Sequence, residues 1–204
     1  MNLKRRKGFT LVELLVASAL LAIFLTIMFQ FATTGYRIVH EEFERSAAEA
    51  NVLLLANRLS RDLELASAAG LSLSSSGEQF ALQPVTLSDL GAIVYEDRFL
   101  AWDFDVKEER VSRYSSDGVS GQTFTGAPLR LSTPVLSVIS SSPDFTRNKV
   151  YSKVTSFGLK NPEGVVLPSV GSPLSFSVSM ELDIAKVRKT LNFERTIQLR
   201  NSGS

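Results

Sequence analysis

The spacing of hydrophobic and polar positions along the chain changes character twice. From Leu14 to Tyr36 no residue is charged. A helix of about 20 residues at 1.5 Å each spans the hydrocarbon core of a bilayer, so this run is long enough to cross one. Past Gln30 the run becomes amphipathic. Tyr36, Val39, Phe43, Ala47, Ala50 and Leu54 fall at helical spacing, and Val52, Leu55, Leu59, Leu63 and Ala66 continue it. Arg37, Glu41, Glu44, Arg45, Glu49, Arg58, Arg61 and Asp62 lie between them. The pattern predicts an amphipathic helix with one buried stripe. No proline interrupts the chain between Phe9 and Gln83, so span and amphipathic segment can form one helix, with Gly35 as its weak point. Heptads are not sustained, and the apolar set widens at Val52–Leu55. Packing on a sheet is therefore favoured over a coiled-coil seam.

Beyond Gly70 the period shortens to two. Ser72–Gly77 reads as a turn ending the helix. Ala92–Tyr95 and Phe99–Val106 read as strands. Leu174, Phe176, Val178, Met180, Leu182 and Ile184 alternate with polar residues, and Leu191, Phe193, Ile197 and Leu199 repeat the pattern. With Lys186–Lys189 as the turn, these segments predict an antiparallel hairpin whose inward face the Val52–Leu63 stripe covers. Residues 111–148, rich in Ser, Gly and Thr, read as exposed loops with short strands between. The expected fold class is α+β: a long N-terminal helix, half transmembrane and half amphipathic, packed on an antiparallel β-sheet head domain.

The start of the chain sharpens this picture. Lys4, Arg5, Arg6 and Lys7 precede Gly8, and such cations hold an N-terminus in the cytoplasm. A secretory signal would end in a small-residue cleavage site. Ala17-Ser18-Ala19 fits that pattern, but apolar residues continue beyond it. The plain reading is a single-span anchor. It leaves Glu13 unexplained, since a carboxylate at membrane depth costs roughly 2.5–3.5 kcal/mol. Glu13 lies one helical turn after Phe9. A cut after Gly8 would give Phe9 a new α-amino group, able to neutralise the Glu13 of a neighbouring chain. Alternatively, Glu13 is shallow enough to snorkel to the headgroups.

The stretch K-R-R-K-G-F-T-L-V-E-L-L-V resembles the N-terminal signature of type IV pilins and type II secretion pseudopilins. The resemblance implies cleavage by a prepilin peptidase between Gly8 and Phe9, N-methylation of Phe9, and subunit docking through Glu13. It divides the chain into a leader (1–8), a transmembrane assembly helix (9–32), an amphipathic helix continuing into the head (33–69) and an extracytoplasmic β-rich head (70–204). N-R-L-S-R-D-L-E-L-A and F-E-R-T-I-Q-L-R-N are similar to the minor pseudopilin J group and the related W-type minor pilins, whose role is to prime a pseudopilus or pilus tip. The implied partners are the prepilin peptidase, other minor and major pilin or pseudopilin subunits, an inner-membrane assembly platform and membrane lipid. The implied location is the inner membrane, single-pass, with the N-terminus cytoplasmic and the head periplasmic.

Composition adds exclusions. Without Lys4–Lys7 the balance of 22 basic and 21 acidic residues turns acidic, which argues against a nucleic-acid partner. The absence of cysteine removes thiol chemistry and disulfides. The single histidine, His40, beside Glu41 and Glu42, reads as a solvated side chain rather than a pH sensor. Asp103, Asp105, Glu108 and Glu109 could offer oxygen ligands to Ca²⁺, but their alternation with Trp102, Phe104 and Val106 reads as the wet face of a strand. No G-x-S-x-G elbow or phosphate-binding glycine loop occurs. No catalytic residue, metal site or cofactor is expected, and the chain reads as a structural subunit rather than an enzyme. A single-span anchored extracytoplasmic binding domain, with its ligand site in the 111–148 loops, is the alternative.

Overall fold

Helix α1 runs from Leu11 to Glu64 and passes through Gly35 without interruption. The computed structural model describes residues 10–88, 93–119, 127–160, 174–184 and 187–199. The chain divides into two units, Met1–Arg45 and Ser46–Ser204. In the first, every large apolar side chain from Leu11 to Phe43 is exposed. The helix is long and apolar enough to cross a membrane. The expected stripe at Tyr36, Val39 and Phe43 is therefore not covered by this chain, and Leu54, the last of that set, is 60% exposed. Val52, Leu55, Leu59 and Leu63 are buried instead, with Ala48 and Ala56. The reason is angular: Leu54 and Leu55 are offset by about 100° around the helix, so the two sets cannot face one sheet.

The described residues of the second unit form two sheets. One is six-stranded, in the order β1-β2-β4-β5-β6, with β3 paired to β2. Its strands are β1 (Ala66–Leu73), β2 (Gln79–Leu87), β3 (Ile93–Tyr95), β4 (Phe99–Asp105), β5 (Arg110–Ser116) and β6 (Thr146–Ser152). The other is three-stranded, with β7 (Val154–Lys160), β8 (Leu174–Ile184) and β9 (Val187–Ile197) in chain order. All pairings are antiparallel. The α+β class and the pilin-like plan of a long apolar helix followed by antiparallel sheet are as the sequence predicts.

Three boundaries differ. The amphipathic helix, expected to reach residue 69, stops at Glu64, and Ala66–Leu73 is a strand rather than a helix end followed by a turn. The Leu65 amide bonds the Asp62 carbonyl at 3.2 Å, while the Leu65 carbonyl accepts from Val85 at 2.8 Å, which hands the chain to β2. Pairing along β2 thus overrides the helix propensity of A-S-A-A. Gly70 fits this strand because a Cβ there would stand 3.3 Å from the Tyr95 ring. The turn follows at Ser74–Glu78, where Gly77 adopts φ 75° and its carbonyl accepts from Leu159 on the second sheet at 3.2 Å.

The β8–β9 hairpin is longer than expected. Its register runs from Leu174↔Ile197 to Ile184↔Val187, so Val187, Arg188 and Lys189 belong to β9. Residues 185–186 lie outside the described residues, as do the side chains of Leu182 and Ile184. Leu174, Phe176, Val178 and Met180 are buried as predicted. The third difference is in 111–148, which holds β5, the short helix α2 (Thr133–Leu136) and the start of β6. Tyr114, Val119, Leu131, Leu136, Ile139 and Phe145 form a second core cluster with Ala81, Phe99 and Ala101. Hence β4 is buried on both faces: Leu100, Trp102 and Phe104 join the main core under α1, and Phe99 and Ala101 the second.

Polar groups are buried in this arrangement too. Asp62 on α1 is 3% exposed and Arg113 on β5 is 7% exposed. Arg113 donates from Nε and Nη2 to the two carboxylate oxygens, at 2.6 and 3.2 Å, and Trp102 Nε1 donates to Oδ2 at 3.1 Å. Arg58, one turn back on the helix, stands 3.7 Å from Oδ1. At the far edge of the core, Arg195 of β9 donates to Ser60 at 3.1 Å. Helix and both sheets are thereby fixed at the level of Ser60–Asp62.

Asp103 is buried as well, not on a wet face, and accepts from Gln79 Nε2 at 2.8 Å. Burial pushes its carboxyl above the ordinary value, opposed by the Gln79 bond, reinforced by the Asp105 charge and opposed again by Arg110.

Removing one partner of a buried ion pair leaves the other uncompensated, at about 3–5 kcal/mol. Asp62→Ala should therefore lower the unfolding free energy by about that amount, read by far-UV circular dichroism during denaturant unfolding of the detergent-solubilised chain. Asp62→Leu combined with Arg113→Met should cost less than the sum of the two single changes, because the pair is coupled. Asp103 has the opposite sign. A raised carboxyl pKa in the fold favours the protonated form, so its ionisation weakens the fold as pH rises through the folded value. Asp103→Asn, which keeps an acceptor for Gln79, should raise the melting temperature at pH 7, with the gain shrinking in acid.

Candidate functional site

Gly8 and Phe9, the expected cleavage and methylation positions, lie outside the described residues, as do Lys4–Lys7. Helix α1 is capped at Thr10. The Leu14 amide donates to the Thr10 carbonyl at 3.2 Å, the first helical bond. The Glu13 amide donates to Thr10 Oγ1 at 3.3 Å, and the Thr10 amide donates to Glu13 Oε2 at 2.9 Å. The Thr10 hydroxyl adds a bond to the same oxygen at 3.0 Å. This reciprocal pair is a capping box, in which residues at N-cap and N3 satisfy each other's amides.

Glu13 thus has a local role that the sequence analysis did not assign. The signal was present as T-L-V-E before an apolar run, the S/T-x-x-E signature of a helix start. The cap occupies Oε2 alone: Oε1 takes no bond among the described residues. An ionised carboxylate has about four acceptor sites, so the capped Glu13 retains capacity for another donor.

Elsewhere in the apolar run the helix satisfies its own hydroxyls. Ser18 donates to the Leu15 carbonyl at 2.9 Å, Thr26 to Ala22 at 2.8 Å and Thr33 to Phe29 at 3.0 Å. Such back-bonding lets hydroxyls sit in an apolar medium without an outside partner. The result is an apolar helical surface whose one formal charge, between Thr10 and Tyr36, stands at its N-terminal end. Lipid or the same surface on another chain can cover it. Arg37 and Glu41 (3.3 Å), with Glu41 half-buried, and the exposed His40 and Glu44 (3.6 Å) follow as pairs one turn apart. His40 keeps 66% of its side chain exposed, the solvated state expected for it.

The acidic group in the head is not brought together as a site. Asp105 Oδ1 accepts from the amides of Lys107 and Glu108, each at 3.1 Å, and Oδ2 lies 3.5 Å from Arg110. Glu108 stands 3.9 Å from the same guanidinium. These acids close the β4–β5 turn, where Glu109 adopts φ 47°. Among the described residues no cluster of three or more His, Cys, Asp or Glu side chains could hold a metal ion.

Residues 3–29 match the family model of the prokaryotic N-terminal methylation motif. No curated protein and no solved structure matches the chain significantly. The motif overlaps the first part of α1, whose apolar run is the one candidate membrane span among the described residues, and supports a type IV pilin-like protein anchored by that helix.

Proposed function

We propose that the chain is a minor pilin-like subunit that assembles into, or primes, a type II secretion pseudopilus or type IV pilus tip and so supports protein export. Its role in this reading is mechanical rather than catalytic. A prepilin peptidase cuts between Gly8 and Phe9, Phe9 is methylated, and the head lies outside the inner membrane with the leader in the cytoplasm. Assembly then exchanges lipid contacts along α1 for contacts with other pilin or pseudopilin subunits, on an inner-membrane assembly platform. The observation that carries this reading is the methylation motif at residues 3–29, laid over an apolar helix with Glu13 at its N-terminal end. The J-group or W-type assignment rests on the short resemblances at Asn57–Ala66 and Phe193–Asn201.

Capping and docking make different demands on Glu13, so they can be separated. Gln at N3 also serves a capping box, so Glu13→Gln keeps the cap and removes the charge. Thr10→Val keeps the charge and weakens the cap by about 1 kcal/mol. An unpaired carboxylate in lipid costs roughly 2.5–3.5 kcal/mol, and each 1.4 kcal/mol is tenfold in an equilibrium. Glu13→Gln should therefore insert normally and reduce co-assembly with partner subunits about tenfold or more, whereas Thr10→Val should largely retain it. Equal assembly of Glu13→Gln and the parent would refute docking through the charge.

Mass spectrometry of the membrane-extracted chain, from cells with and without the prepilin peptidase, tests the processing. The expected product begins at Phe9, carries one added methyl group, and is absent without the peptidase. An intact Met1 in both strains would instead favour the anchored binding domain.

A further inference from the structure

A cleft of about 300 Å³ in the second unit is lined by Arg58, Arg113, Asn148, Lys149 and Tyr151. These residues come from three elements: α1, β5 and β6. Arg113 and Lys149 are direct cross-strand partners, and like charges placed opposite one another in a sheet are destabilising. Arg58 brings a third cation from the helix. Among the described residues one carboxylate stands against them, Asp62, already bonded by the Nε and Nη2 of Arg113 and by Trp102. Arg113 Nη1 is outside that bidentate pair. Lys149 is exposed and has no ion pair among the described residues. The cleft therefore carries an excess of positive charge and presents mainly donors.

The backbone is irregular at this point. The β5–β6 register steps from Arg113↔Lys149 to Tyr114↔Arg147, so Asn148 is the extra residue of a bulge. Bulges re-aim side chains and gather beside functional sites. Here the bulged residue lines the cleft, its side-chain Nδ2 donating to the Ser115 hydroxyl at 2.8 Å. Tyr151, stacked on Trp102 with ring centroids 6.2 Å apart, forms an apolar wall. Burial raises the Tyr151 phenol, opposed by the Arg58 and Arg113 charges and reinforced by the Asp62 carboxylate.

We propose that the cleft is an oxyanion-binding site, in which Arg58 and Lys149 take the ligand at the mouth and Arg113 stands behind them. The ligand chemistry is a phosphate or carboxylate group, matched to guanidinium and ammonium donors. A bound anion would relieve the repulsion between the paired Arg113 and Lys149. The proposal concerns the head alone and does not depend on the processing or assembly proposed above.

The chain carries its own reporter. Trp102 is the sole tryptophan, and its indole touches the cleft through Asp62 and Tyr151. The test is a fluorescence titration of the full-length protein in non-ionic detergent micelles, at constant ionic strength so that general screening is unchanged. Inorganic phosphate and glutarate serve as separate probes, the second standing for an acidic side chain of a polypeptide. The expected result is a saturable change in Trp102 emission. Response to phosphate alone identifies a phosphate ligand, and response to glutarate identifies a carboxylate.

Lys149→Met should raise the half-saturation concentration about tenfold through loss of one charge-assisted contact. As an exposed position without an ion pair among the described residues, it leaves the fold intact, which far-UV circular dichroism verifies. Arg58→Gln gives an independent second variant. Absence of any saturable response to both probes, or an unaltered response in both variants, would overturn the proposal.

Discussion

Burying a carboxylate costs several kcal/mol unless cations and donors meet it in good geometry, and the head is organised around one that is met. Asp62 sits on the face of α1 that carries Leu55, Leu59 and Leu63, where an apolar residue would be expected. Its position demands that Arg113 come up from β5 and that the Trp102 indole on β4 be turned toward the helix. Those demands set the rotation of the helix segment on the sheet. An apolar stripe alone would tolerate some sliding, because hydrophobic contact has no direction. A bidentate pair does not. With the rotation fixed, Leu53 and Leu54 are turned to the outside, 52% and 60% exposed.

The strands with one buried face were legible in the sequence, because a period of two leaves a mark in composition. The β8 strand is the clearest case, and β4 was found from its run of large apolar residues. What escaped were polar residues on inward-facing positions. Ser112, Arg113 and Ser116 on β5 are buried, yet R-V-S-R-Y-S-S reads as exposed text, since burial there depends on a partner fifty residues earlier in the chain. The strand at Ala66–Leu73 escaped for a related reason: its local propensity is helical, and only pairing with β2 makes it extended. In the N-terminal segment, the acid at position 13 drew notice while its partner at position 10 did not, although the two together mark the helix start.

The capping bonds change how Glu13 is understood. A carboxylate held by Thr10 is already oriented, so a cation arriving from another chain would meet a fixed acceptor rather than a mobile side chain. Preorganisation of this kind lowers the cost of association. The same arrangement means that a Glu13→Ala change removes a cap and a charge together, and its phenotype would mix the two.

Every buried residue of the described chain lies at or beyond Ala48. Residues 10–47 therefore contribute no core. A pull applied to that segment would be borne first by the Ala48–Leu63 stripe and by the Asp62 ion pair. In a helix lying along a sheet, force along its own axis must shear many side-chain contacts at once, rather than peel them singly. Load from α1 thus enters through the packed stripe, with Asp62 and Arg113 as its bolt.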